Sequence, residues 1–124
     1  MLTIDSFSKK ELIKAILNWL NDPEVHEAIL NHPNAGDWAL GVVAENSSDP
    51  EVHKAIAAHK NAGDKALNVV AQNSSDPKVH LAIAKNLNAG DKALSRVAMR
   101  SKDRKVHIAI AKHKNLILNH LNQF

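Results

Sequence analysis

Between Asp49 and Ser75 the apolar side chains form two helical stripes separated by a polar turn. Val52, Ala55, Ile56 and His59 stand at i, i+3, i+4 and i+7, one face of a helix. Ala66, Leu67, Val70 and Ala71 repeat that spacing and predict a second helix. Asp49 has the chemistry of an N-cap and Pro50 suits the first helical position, so the first helix starts there. Asn61-Ala62-Gly63-Asp64 reads as a variant capping box, with Asn61 ending the first helix or capping the second. Asn73-Ser74-Ser75 is an exit loop, and Asp76-Pro77 restarts the pattern.

The same unit recurs at a fixed period of 27 residues. Full copies span 22–48, 49–75 and 76–102, and a partial copy spans 103–124, departing from the pattern after Asn115. Helices this short are marginal alone in water and must stack on their neighbours to bury their apolar faces. The expected fold is therefore all-α: a right-handed α-solenoid of paired short antiparallel helices forming one domain over 1–124. Residues 1–21 read as an N-terminal cap helix. Ser8-Lys9-Lys10-Glu11 is a capping box there, and Leu12, Ile13, Ile16, Leu17 and Leu20 follow at helical spacing. At the other end Leu116, Ile117, Leu118 and Leu121 replace the Ala-Gly-Asp signal and are expected to seal the last layer.

The unit D-P-x-V-H-x-A-I-A-x-x-x-N, continuing to L-x-x-V-A, resembles the leucine-rich repeat variant, a relative in style of HEAT-type helical repeats. The resemblance covers 22–115. That family's unit begins Asp-Pro-x-Val-Arg, whereas His26, His53, His80 and His107 hold the Arg position here. The period is also longer, with Asn-Ser-Ser added at the junction, which favours a full second α-helix. The resemblance implies a scaffold that binds rather than one particular activity.

Composition removes several functional classes. The chain has no Cys, so disulfides and thiolate metal sites are excluded. Aromatic residues are 3% of the chain, a poor supply for base stacking. No apolar run approaches a membrane span and no signal peptide is read, so a soluble cytoplasmic protein is expected, monomeric or weakly dimeric. The net charge of +3 hides a polarity: residues 1–62 hold 5 basic and 9 acidic side chains, and 63–124 hold 11 and 4.

Two histidine columns invite a chemical reading: the ladder His26, His53, His80, His107, and a broken column His32, His59, His113 with Asn86 in the gap. Packed helices lie roughly 8–10 Å apart. One ion about 2 Å from each nitrogen cannot join two ladder members, so no metal site and no cofactor are expected. The ladder instead suits hydrogen bonding to the turn or the neighbouring unit. A second expectation is that acid charges the histidines together and loosens the stack. The columns Asp22, Asp49, Asp76, Asp103 and Asp37, Asp64, Asp91 fit helix caps and first-turn acids better than acid–base catalysis. Nothing in the sequence asks for an enzyme.

Functional information then lies where the units differ. The face bearing Trp38, Lys65, Asn68, Lys92, Ser95, Arg96, Met99 and Arg100 is the candidate partner-binding surface. Trp38 is its anchor, standing where the next two units have Lys65 and Lys92. Leu81 and Ile108, where Glu27 and Lys54 stand, mark a small apolar patch. The expected function is a non-enzymatic protein–protein interaction scaffold, of the kind that inhibitors, immunity proteins and adaptors use. The alternative is nucleic-acid binding by the basic C-terminal half, densest over Arg100–Lys105. A consensus-like engineered scaffold is a third reading, opposed by the irregularity at Trp38, Arg96 and Met99.

Overall fold

The computed structural model describes residues 9–114. These form eight α-helices with no strand among the described residues: α1 (Lys9–Asn18), α2 (Pro23–Leu30), α3 (Asp37–Asn46), α4 (Pro50–Ala57), α5 (Asp64–Asn73), α6 (Pro77–Lys85), α7 (Asp91–Arg100) and α8 (Arg104–Ala111). The Asp-Pro junctions, and Asp103 before Arg104, act as read from the sequence. Asp22, Asp49, Asp76 and Asp103 are N-caps whose carboxylates accept the N–H of Glu24, Glu51, Lys78 and Lys105 at 2.8–2.9 Å. Each satisfies a donor that a helix start leaves orphaned.

Helices pack on alternate helices. α1 lies on α3, α3 on α5 and α5 on α7, while α2 lies on α4, α4 on α6 and α6 on α8. The α3–α5 and α5–α7 contacts are the most extensive in the molecule. Small residues allow that approach: a methyl group at Gly41 would sit 3.6 Å from the Ala66 Cα. The second-helix stripe is buried as expected, with Leu40, Val43 and Ala44 repeated as Leu67, Val70, Ala71 and as Leu94 and Val97. Burying one such Leu contributes about 1.5–3 kcal/mol.

Three expectations need correction. On α4 the buried positions are His53, Ile56 and Ala57, whereas Ala55 is exposed and Val52 and His59 are half-buried. The stripe is rotated because the His53 ring turns inward, where its Nε2 meets the Ala44 carbonyl at 3.2 Å. Asn61 is not the cap of α5. Gly63 holds the N-cap position without a side-chain cap, and Asp64 is already the first helical residue. In α1, Ile16 is buried but Leu17 is exposed. The expectations for Ser8, Leu116, Ile117, Leu118 and Leu121 lie outside the described residues.

Candidate protein-binding face

Several of the residues shared between units make contacts from one unit to the next. Asp37 of α3 reaches forward to the next unit, and its Oδ1 accepts the N–H of Gly63 and of Ala66, both at 2.8 Å. Asp64 does the same one unit on, taking Gly90 at 2.8 Å, Ala93 at 2.9 Å and Lys92 at 3.2 Å. α5 and α7 are thus each capped by the acid that opens the second helix before it. This explains the capping glycine. A Cβ at Gly63 would lie 2.9 Å from the Asp37 Cγ, and one at Gly90 would lie 3.0 Å from the Asp64 Cγ. The glycine clears space for a carboxylate; its backbone is ordinary, with φ near −101° at Gly63.

Three of the four ladder histidines bond the segment that precedes their own helix, while His53 bonds the Ala44 carbonyl within α3. Nε2 of His26, His80 and His107 meets the carbonyl of Leu20, Ser74 and Ser101, six residues back. The second column spans units. His59 Nδ1 accepts the Asn61 N–H at 3.0 Å, so Nε2 carries the proton and donates to the Leu30 carbonyl at 3.1 Å. Asn86 reproduces this with an amide: Oδ1 accepts the Asn88 N–H, and Nδ2 donates to the Ala57 carbonyl, both at 2.9 Å. Asn61 and Asn88 reach back in the same way, to the Ala35 and Ala62 carbonyls. Among the described residues no three His, Asp or Glu side chains converge as a metal site.

The positions that vary between units point outward on α3, α5 and α7. Trp38 is 39% exposed and Met99 is 79% exposed. Lys65, Lys92, Ser95 and Arg100 are exposed, and Asn68 and Arg96 are half-buried. Asn68, Lys92, Ser95, Arg96 and Met99 come together, with Asp91, around an open depression of about 630 Å³. Trp38, Lys65 and Arg100 do not line it. Arg96 donates its Nε–H weakly to the Asn68 Oδ1 at 3.4 Å, and Arg100 donates to the Ser75 Oγ at 3.1 Å. Both acceptors are neutral, so neither hydrogen bond offsets the charge of the guanidinium that it orients. Of the apolar patch, Leu81 is half-buried against the core, and Ile108 is 37% exposed.

Two surface features were not singled out from the sequence. Leu87 is exposed on a turn beside Lys60, Lys85 and Ala82, around a depression of about 510 Å³. Its signal was available: Leu87 stands where the earlier units have Pro33 and Lys60. An acidic depression of about 480 Å³ between α2 and α4 is lined by Glu24, Glu27, Asp49 and Glu51 over Leu30 and Val52. No described helix is long and apolar enough to cross a membrane. Comparison with protein-family models, with curated proteins and with solved structures gives no match.

Proposed function

We propose that this chain is a short right-handed α-solenoid of the HEAT-like kind, a non-enzymatic protein-binding scaffold whose partner meets the outward row of α3, α5 and α7. One observation carries the reading. The side chains repeated in every unit are engaged in capping and stacking, and those that break the repeat lie outward on this row. The closer packing of α3, α5 and α7 than of α2, α4 and α6 supports making this row the inner side of a curved stack. An exposed Trp and an exposed Met are anchors of the kind protein interfaces favour.

Pull-down from a native lysate tests the reading. The captured set should be lost with Trp38→Ala and with Met99→Ser, and kept with Lys54→Ala on α4. Equal capture by all three variants would remove the assignment of the face.

A second reading, nucleic-acid binding, is favoured by Lys92, Arg96 and Arg100 on α7 with Arg104 and Lys105 on α8. Retention on heparin or DNA that falls steeply with salt and is lost in Arg96→Ala/Arg100→Ala would support it.

A further inference from the structure

The outward side of α7 is built as a stripe. Lys92, Arg96 and Arg100 succeed one another at four-residue steps, about 6 Å apart along the axis and about 12 Å from first to last. Met99 stands at the crown of the same side, the most exposed large apolar side chain among the described residues. The two arginines are held by neutral acceptors, Asn68 and Ser75. A guanidinium that is already oriented and still charged loses less freedom when it meets a carboxylate, and it offers a bidentate fork.

We propose that this stripe takes an acidic amphipathic helix of a partner protein, with carboxylates at i, i+4 and i+8 facing Lys92, Arg96 and Arg100, and an apolar side chain between them on Met99. The proposal rests on the reading of the α3–α5–α7 row as a protein-binding face and names the chemistry it selects. The spacing favours a helix. Its i, i+4 step is about 6 Å, equal to the step of the stripe. Alternate residues of an extended strand stand about 6.6–6.8 Å apart, a poorer match that accumulates to about 1–2 Å over three contacts.

The surroundings favour protein over nucleic acid. The depression offers no aromatic ring for a base to stack on, and its crown is apolar. The charge along the row points the same way. α3 carries Asp37 and Glu45 with no base, α5 carries Asp64 and Lys65, and α7 sets Lys92, Arg96 and Arg100 against Asp91. An acidic helix is therefore drawn to the α7 end.

Fluorescence anisotropy on the full chain tests this with three labelled probes. One is a helical peptide with Glu at i, i+4, i+8 and Leu between. The second has the same composition with the acids scrambled around the helix, and the third is a 12-nucleotide single-stranded DNA. The aligned peptide should bind more tightly than both others and weaken as salt rises. Arg96→Glu/Arg100→Glu should weaken it at least about tenfold, since two charge-assisted contacts become repulsive. Met99→Ser should weaken the peptide severalfold and leave DNA unchanged, with circular dichroism confirming that each variant is folded. Equal binding of aligned and scrambled peptides, tighter binding of DNA, a silent Met99→Ser, or no peptide binding would overturn the proposal. Should lysate capture still depend on Trp38 and Met99 while the aligned peptide fails, the acidic-helix assignment falls and the protein-binding face stands. Should both fail, both fall.

Discussion

Replacing Asp64 by Ala removes a contact that joins one unit to the next, and the structure sets its size. The carboxylate accepts three backbone N–H groups from the start of α7, those of Gly90, Lys92 and Ala93. A hydrogen bond to a charged group contributes about 1.5–3 kcal/mol net. Three bonds to one carboxylate do not add, and Lys92 is exposed enough for water to replace its bond. The Ala93 donor is buried and Gly90 is half-buried, so those donors are not fully recovered. The expected loss is about 2–4 kcal/mol, above the ordinary cost of losing a cap, about 0.5–2 kcal/mol. Asp64→Asn keeps the Oδ1 that serves Gly90 and Ala93 and loses the charge, so about 1–2 kcal/mol is expected. Urea unfolding followed by far-UV circular dichroism measures both. A coupled variant sharpens the test. Gly90→Ala alone drives a methyl group against the Asp64 carboxylate, and Asp64→Ala takes that obstacle away. The double variant should therefore cost less than the two single costs together. Asp64→Ala within about 0.5 kcal/mol of the parent, the range of a neutral surface change, would refute the cap between units.

Gly63→Ala should cost about 1–3 kcal/mol because its Cβ meets the Asp37 carboxylate at 2.9 Å. Gly36→Ala, with nothing within 4 Å of its Cβ, should cost only the small difference between Gly and Ala at an N-cap; equal melting temperatures for the two variants would contradict the steric account. His59→Asn should stay within about 1 kcal/mol of the parent, since Asn86 already does the same work with an amide, whereas His59→Ala, losing both bonds, should cost about 1.5–3 kcal/mol in the same urea assay. Inserting a second copy of residues 49–75 after Ser75 adds one more set of contacts between neighbouring units and should raise the melting temperature; a lower value would show that the seams are not interchangeable.

The sequence exposes what is local and hides what reaches across units. The Asp-Pro starts and the stripe Ala66, Leu67, Val70, Ala71 are legible because capping and helical periodicity act within a few residues. The cap of α5 is not, because its acceptor is Asp37, 26 residues before Gly63. Asn61 stands three residues before Asp64 and offers a local capping box that the chain does not use. Its amide goes instead to the Ala35 carbonyl. The register of α4 differs from its apolar periodicity for another reason. His53 counts as polar in a periodicity and is buried with its Nε2 satisfied, while Ala55 counts as apolar and is too small for its exposure to cost much. Asn86 looks like a gap in a histidine column and is its chemical substitute. Trp38 and Met99 were visible as breaks in the repeat. That Lys92, Arg96 and Met99 share a depression with Asn68 was not, since it depends on how α5 lies against α7.

Because the caps come from the neighbouring unit, the shared residues leave little freedom for recognition. Replacing the acid at Asp37 or adding a side chain at Gly63 weakens the seam between α3 and α5. Variation is pushed onto positions whose side chains leave the stack, and there the charge is graded. In the even helices, α2 has Glu24 and Glu27, α4 has Glu51 and Lys54, α6 has Lys78 and Lys85, and α8 has Arg104 and Lys105. Among the odd helices α3, α5 and α7 change sign in the same direction, whereas α1 is basic, with Lys9, Lys10 and Lys14 against Glu11. From α2 to α8 the gradient therefore spans several helices rather than one contact. Its long-range effect is to orient a charged partner before contact, which acts on association rate and on salt dependence more than on final affinity. The net charge of +3 understates it, since the two ends nearly cancel. On the proposed reading, Trp38 and Met99 add short-range apolar contacts, and the charges favour one orientation of an acidic partner along the row.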